Sequence, residues 1–510
     1  MRIKTITLFV IYIWSTFIFA DVGVLNFYND IEYYNRLSLE VDHISQYKEG
    51  FIDKDNRVLL EGDSWDFKIF NPTLFYSFNS SFSTGINDGA LWQGKGFNGQ
   101  LETGFIFNSE NIVIRLLPEI WFAQNKDFEI APSKYLYGSV ITCIDSYQRP
   151  GNETYYDINL GKSSLLFKYN IFEAELSSDN IILGPGRISP IIMSDHSEGF
   201  YHIRLGFDEW KSPIGSFEYN AFIGKLDESS FFDEDETNNS NLITAYNFAY
   251  SPVFIPGLTL GFNRSLTAPM SVVSPQIIFK IFDPFIAGGY IGEPFGYDKT
   301  DQRMSIVIDW IFPESGFKAY TEIAKNDYST NIELLLRTPE HTLAYTIGFS
   351  KILGDFLLEF EHTDLQESRE YVLGGLGGGG SFYRHHIVSQ GYTNNGQLLG
   401  AGIGSGSDSQ TLSLSHFLKD RTLKAYIQRI AINKDYIYGK YLDPDNRPSG
   451  SPYAVDELQF NIRLGFKGLF DFDSVSMFAE FAYDYRSAFN FIPYEKMNNI
   501  YLALGLQYKF

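Results

Sequence analysis

A chain of 510 residues that is 17% aromatic (34 Tyr, 46 Phe and 6 Trp) and holds 44 glycines carries 62 Asp and Glu against 40 Lys and Arg. The acidic excess argues against nucleic acid as a partner, and the single cysteine, Cys143, excludes an internal disulfide framework and a thiolate metal cage. So many aromatics exceed the needs of a soluble core and match the composition of an outer-membrane β-barrel.

Taken in chain order, residues 1–20 place Arg2 and Lys4 before an apolar run that ends at Ala20. This predicts a secretory signal peptide. Its removal leaves 40 − 2 = 38 basic residues against 62 acidic ones, a net charge of −24. Phe27, Ile31, Tyr34, Leu37, Val41 and Ile44 then recur at three- and four-residue spacing, which predicts a helical element within 21–60. Two roles are open to it: a small periplasmic helix packed on the barrel mouth, or a plug that closes the lumen. Residues 61–510 are expected to form a large antiparallel barrel with long extracellular loops, since no later stretch has the roughly eighteen apolar residues of a spanning helix.

Strand periodicity supports that assignment. Leu343, Tyr345, Ile347 and Phe349 alternate with other residues, as do Phe356, Leu358 and Phe360 with Leu357, Glu359 and Glu361. Further on, Leu458, Phe460, Ile462, Leu464 and Phe466 alternate with Glu457, Gln459, Asn461 and Arg463. Val475, Met477, Ala479, Phe481, Tyr483 and Tyr485 alternate with Glu480, Asp484 and Arg486, and Ile500, Leu502, Leu504, Leu506, Tyr508 and Phe510 form one face of the last strand. Successive strand residues point to opposite sides, so one set suits lipid and the other a wet interior. A β-sandwich also alternates, but strands of about 10 residues with aromatic ends suit a tilted membrane crossing better. Counting back from a periplasmic C-terminus puts 468–473 and 418–421 inside, and 433–456 and 364–408 outside. The inside turns come out short and the outside loops long, which is the asymmetry of such barrels.

The excursion 364–408 contains the stretch "SFYRHHIVSQG". Neighbouring His385 and His386 point to opposite faces in extended chain, so they do not chelate one ion together. "GLGGGG" at 375–380 matches a dinucleotide pattern without the strand and helix that give it meaning. The sequence has no G-x-S-x-G, H-E-x-x-H or P-loop, so no enzyme activity, metal or cofactor is expected. The acidic run Asp233 to Glu236 reads as a solvated loop or, alternatively, as oxygen ligands for a calcium ion. Sugar binding needs flat aromatic faces and planar polar groups, and Tyr383, Arg384, Tyr392, Asn394, Asn395 and Gln397 supply both within this one excursion. Tyr and Asn are also common in turns, so composition leaves the two readings level.

Four blocks add to this: "NDGALWQGKGFNGQL" (87–101), "LLPEIWFAQNKDF" (116–128), "LSSDNIILGPGRISPIIMSDHSEGFYHIRLG" (176–206) and "YRHHIVSQGYTNNGQLLGAGIGSGSDSQ" (383–410). In order and spacing they resemble the Wzi-type capsule-assembly family. That resemblance implies an outer-membrane barrel of about eighteen strands with a periplasmic helical element, acting as a surface lectin that retains capsular polysaccharide. It also marks Arg187, Asp195, His196 and His202 as motif positions. The chain departs from the usual pattern at "NIILGPG" and "SDHSEG", which leaves the identity of the glycan open. The candidate polysaccharide-binding set is therefore Tyr383, Arg384, His385, His386, Tyr392, Asn394, Asn395, Arg187, Asp195 and His196. The expected partners are extracellular polysaccharide and outer-membrane lipid, with the chain acting as a monomer. An outer-membrane channel for a polar solute is the alternative, since Glu359, Glu361, Arg463, Lys467, Glu480 and Asp484 would equally suit a polar pore.

Overall fold

The computed structural model describes residues 37, 45–49, 56–62, 64–130, 153–232, 239–282, 300–326, 332–369, 382–385, 388–440 and 455–509. The signal segment, Cys143, the acidic run Asp233 to Glu236, His386 and Phe510 lie outside these residues. From His202 onward, long strands follow one another as antiparallel neighbours: His202–Ser212, Gly215–Asp227, Ser240–Pro252, Leu258–Pro269, Asp301–Phe312, Phe317–Asn326 and Leu343–Leu353. Phe356–Asp364, Asp408–Leu418, Arg421–Ala431, Phe460–Asp471, Val475–Ser487 and Lys496–Tyr508 continue the series. Lys496–Tyr508 then pairs with Thr73–Asn79, near the start of the same sheet. The result is one large, mostly antiparallel sheet.

The expected alternation is present residue by residue. In Val475–Ser487 the buried positions are Ser476, Phe478, Glu480, Ala482, Asp484 and Arg486, and in the last strand Tyr501, Ala503, Gly505 and Gln507 are covered while Ile500, Leu502 and Leu504 are exposed. The outer face is an aliphatic band whose side chains, such as Ile203, Ile306, Ile347, Leu412 and Leu464, are all exposed. Towards the short turns it ends in aromatic contacts: Trp210 with Phe217, Phe217 stacked on Tyr250, Trp310 on Phe312, and Phe349 on Phe360. An aliphatic belt edged with aromatics is the surface that a bilayer covers. Among the described residues, no helix is long and apolar enough to cross a membrane.

The N-terminal part of the wall is broken. Trp65–Phe70 and Thr73–Asn79 meet at Asn71 and Pro72, and Ile112–Leu116 and Glu119–Ala123 meet at Leu117 and Pro118. Each proline lacks the N–H that a ladder bond needs. Between them, Gly96–Glu102 gives way to Phe105–Ser109 at Gly104, where a Cβ would lie 1.8 Å from the Leu116 carbonyl oxygen. Next along, Tyr155–Asn159 and Ser164–Tyr169 flank Gly161, which has φ 51°. Proline and glycine thus place a row of interruptions across four adjacent strand pairs.

Two segments leave the wall and fold against its inner face. One runs from Ser178 to Tyr201, and its Ile181–Leu183 pairs with Tyr47–Glu49. The other is the described part of 365–407, which carries a small hairpin, Thr393–Asn394 with Gln397–Leu398. Their apolar side chains, including Ile191, Ile192, Met193, Tyr383, Tyr392, Leu398 and Ile403, share one core with the inward wall residues Phe222, Ile243, Ala324, Ala344 and Ile430. The excursion therefore begins after Asp364 and ends at Asp408 as the strand count predicts, yet its described residues form a packed interior where the sequence suggested a surface loop. Of the predicted N-terminal helix, Leu37 is described: it is helical and fully buried against Ile311 and Leu357. The other residues of that helical face, Phe27, Ile31, Tyr34, Val41 and Ile44, are outside the described residues. Strand Asn56–Gly62, paired with Trp65–Phe70, already belongs to the wall.

Candidate functional site

Buried carboxylates on the wall hold the inward segments. Glu361 accepts hydrogen bonds from the backbone N–H groups of Arg187 (2.6 Å), Ile188 (3.1 Å) and Ser189 (2.7 Å), and from the Tyr320 hydroxyl (2.8 Å). Glu322 accepts the Ile191 N–H at 3.0 Å, and Glu218 accepts those of Gln46 and Tyr47 at 3.0 and 2.9 Å. A segment folded away from its own strands has backbone donors to satisfy, and a carboxylate that accepts two or three of them answers that need strongly. The Arg187 side chain adds an ion pair to Glu359 at 3.1 Å, which Lys424 shares at 3.2 Å. The "GPGRIS" turn is thus fastened to two neighbouring inward positions of one strand.

Tyr383 ties the two inward segments together. Its hydroxyl donates to the Ile191 carbonyl at 2.7 Å and accepts from the Ala401 N–H at 2.9 Å. Its ring stacks on Tyr392 with centroids 5.9 Å apart, and the Arg303 guanidinium lies 4.1 Å from the Tyr392 centroid. Both tyrosines are buried, and Tyr383 takes φ 74°, a conformation that side-chain-bearing residues adopt only when surroundings enforce it.

The other candidate residues fall into two groups. Asn394 accepts the Asp227 N–H at 3.0 Å and donates to Gly199 O at 3.2 Å, while Asn395 donates to Glu198. His196 is buried and accepts the Asn87 N–H through Nδ1 at 3.1 Å, and the Asp195 carbonyl accepts the Gly89 N–H at 2.9 Å. His202 is buried on the wall, with Nδ1 2.8 Å from Phe200 O. Arg384 and His385 remain partly exposed, and His385 Nδ1 accepts the Val388 N–H at 3.4 Å. Tyr383, Tyr392, Asn394, Asn395, Asp195 and His196 are therefore brought together around the joined segments, where most of their polar atoms are spent on the chain itself. The wall latches Glu218, Glu322 and Glu361 were not singled out as such by the sequence. Glu361 was read only as an inward residue suited to a polar interior.

Burial also shapes the charge of these segments. It pushes the Asp88 and Asp195 carboxyls up to about 6, against the lowering effect of His196 beside each. Glu198 is pushed up to about 8 by burial, although Asn395 and Asn159 donate to it. A cavity of about 70 Å³ lies between the inward segments and the loop-side ends of the strands that carry Gln428, Asn461 and Arg463. Among the described residues no group of His, Cys, Asp and Glu is arranged to hold a metal ion.

No family model matches the chain, and no curated protein matches it by sequence. Among solved structures, it is similar to Wzi from Escherichia coli, described as a carbohydrate-binding β-barrel involved in group 1 capsule assembly. The identity is 12%, with 86% of this chain and 84% of that chain covered and a TM-score of 0.56. Also similar are OccAB2 from Acinetobacter baumannii (10% identity, 86% and 97% covered, TM-score 0.41) and OprD from Pseudomonas aeruginosa (7%, 89% and 97%, 0.42). The likeness to Wzi is one of fold alone.

Proposed function

We propose that the sheet closes as an outer-membrane barrel of about eighteen strands that binds a polar solute, a capsular or other extracellular polysaccharide, at its loop-bearing end. The short turns then face the periplasm and the long loops the cell surface. In support, Lys496–Tyr508 pairs back onto Thr73–Asn79 and the outer face is an aliphatic band edged with aromatics. The observation that carries the reading is the filled interior: two segments share a core with the inner wall, Glu322 and Glu361 latch the first of them, and Glu218 holds the backbone of Gln46 and Tyr47 beside it. A rigidly seated interior suits capture at the surface better than free passage. Weak contacts to one polymer repeated over many copies add up through avidity. Arg384 and His385, partly exposed, are the proposed contacts from the sequence-derived set, with Tyr383 and Tyr392 holding the segment that carries them. Wzi's description as carbohydrate-binding agrees with this assignment.

A channel for a polar solute is the second reading, favoured by the cavity left between the inward segments and the wall. Two measurements separate the readings. Purified protein in a planar bilayer should give no stepwise conductance, and cells that carry it should retain labelled polysaccharide that cells lacking it release. Regular open-channel steps together with unchanged retention would establish the channel instead.

A further inference from the structure

The cavity between the inward segments and the wall has a chemical character of its own. Three of its lining residues end in polar atoms that are buried without a hydrogen-bond partner: Trp92 Nε1, Asn461 Oδ1 and Ser83 Oγ. Trp92 is 6% exposed and Asn461 4%. A buried polar atom left unmet is costly, so several around one cavity point to something that fills it. The set comprises one pure donor, one pure acceptor and one hydroxyl. Leu91, Ile403 and Ile430 supply the apolar part of the lining.

From this geometry we propose that the cavity is a subsite for one uncharged sugar residue, an inference that rests on the polysaccharide reading above and gives it a location. A sugar hydroxyl both donates and accepts, so adjacent hydroxyls meet an indole N–H and an amide oxygen together, while the C–H face of the ring covers the aliphatic lining. Other ligand classes fit less well. An anion would accept from Trp92 and be repelled by Asn461 Oδ1. Of the two lining guanidiniums, Arg463 is already met by Asp484 at 3.8 Å and Glu480 at 4.0 Å and lies 4.7 Å from the Tyr501 ring centroid, and Arg486 lies 3.8 Å from the Phe82 ring centroid. An apolar ligand would leave all three orphan atoms unmet. Gln428, Asn461 and Arg486 line it from the loop-side ends of their strands, so under the proposed orientation it lies at the polymer's end of the molecule.

The test uses the full-length protein in detergent, titrated with D-glucose, D-galactose, D-mannose and N-acetylglucosamine by calorimetry and saturation-transfer NMR, with glycerol and sodium sulfate as controls. At least one sugar should bind saturably, and sulfate should not. Trp92→Phe, which keeps the ring and removes the donor, and Asn461→Leu, which removes the acceptor, should each weaken binding about tenfold or more. Ser83→Ala, a smaller change, should weaken it several-fold and guards against misfolding of the other two. Heat-modifiable gel mobility reports whether each variant folds. No binding by any of the four sugars, sulfate binding in their place, or equal affinity in folded variants would overturn the subsite. Polymer retention on cells separates this from the broader reading. Retention unchanged in variants that carry neither Trp92 nor Asn461 would sink the subsite and leave the surface function standing. Sugar binding lost in those variants, on a protein whose cells retain no polymer, would do the reverse.

Discussion

Tyr383 shows how far a residue's role depends on what surrounds it. In the sequence it is an aromatic in a glycine-rich excursion, and a sugar platform is a fair expectation. In the fold its hydroxyl joins Ile191 to Ala401, so removing that oxygen should loosen both inward segments at once. Tyr383→Phe is expected to cost about 1–3 kcal/mol of local seating. Hydrogen exchange should rise about tenfold or more at the amides near 191 and 401, with little change in the wall strands. Equal exchange in variant and wild type would mean that packing alone seats the segments. Asp195 and Glu198 make a second prediction at this scale. Each carboxyl is raised by burial, to about 6 and about 8, with His196, Lys162 and Lys48 lowering Asp195 and with Glu119 and Asp157 raising Glu198. A raised acid folds most favourably while protonated. Seating is therefore fully supported below the ordinary carboxylate range and is lost as pH rises through about 6 for Asp195 and about 8 for Glu198. Protection of the 195–199 amides, corrected for intrinsic exchange, should thus increase as pH is lowered from about 8.5 to about 5, and a flat or opposite profile would contradict the assignment.

At the scale of elements, the wall was legible and its contents were not. Every wall strand has one face to the outside and one to the interior, so its two-residue period is written locally: Ile500, Leu502 and Leu504 against Tyr501 and Ala503. The excursion's ends at Asp364 and Asp408 followed from strand direction alone. Its inward course did not, because the contacts that fix it join distant residues, such as Tyr383 and Ile191 at a separation of 192. A partial signal was present in the register. Glu480 stands across from Lys467 and pairs with it at 3.2 Å, and Asp484 stands across from Arg463. Glu361 has Gly348 and Thr411 opposite, and Glu322 has Val307 and Thr346, so neither carboxylate meets a cation across the strands. An inward acid with no cross-strand cation needs donors from elsewhere, and here an inward segment supplies them. Glu361→Gln tests that logic: it removes the charge and turns one acceptor into a donor facing N–H groups. Release of 187–189 by about 2–3 kcal/mol is expected, read as protease cleavage in that turn, whereas Glu480→Gln should leave the turn protected.

For the whole molecule, the two faces of the sheet answer different solvents, and each makes its own demand. Outside, the exposed Leu504 lies among aliphatics, and an arginine there should cost about 2–4 kcal/mol near the bilayer midplane. Folding titrations into lipid vesicles would measure that loss, and a cost near zero would argue that this face meets water. Inside, the acidic excess of a chain with net charge −22 would set wall carboxylates against one another if the interior were simply wet. The fold spends several of those charges as acceptors for backbone N–H groups and others on Arg187, Lys318, Lys424, Arg463 and Lys467. Seating of the inward segments and neutralisation of the wall's inner face are therefore one arrangement. Weakening it should open a path. A Glu322→Gln and Glu361→Gln double variant removes two latches of the same segment, Ile191 from one and Arg187 to Ser189 from the other. Their effects couple because both act on one short stretch of chain. In a planar bilayer the double variant is expected to flicker between closed and conducting levels while each single variant stays mostly closed. A double variant as silent as wild type would show that the shared apolar core, from Ile191 to Ile430, seats the segments without the carboxylates.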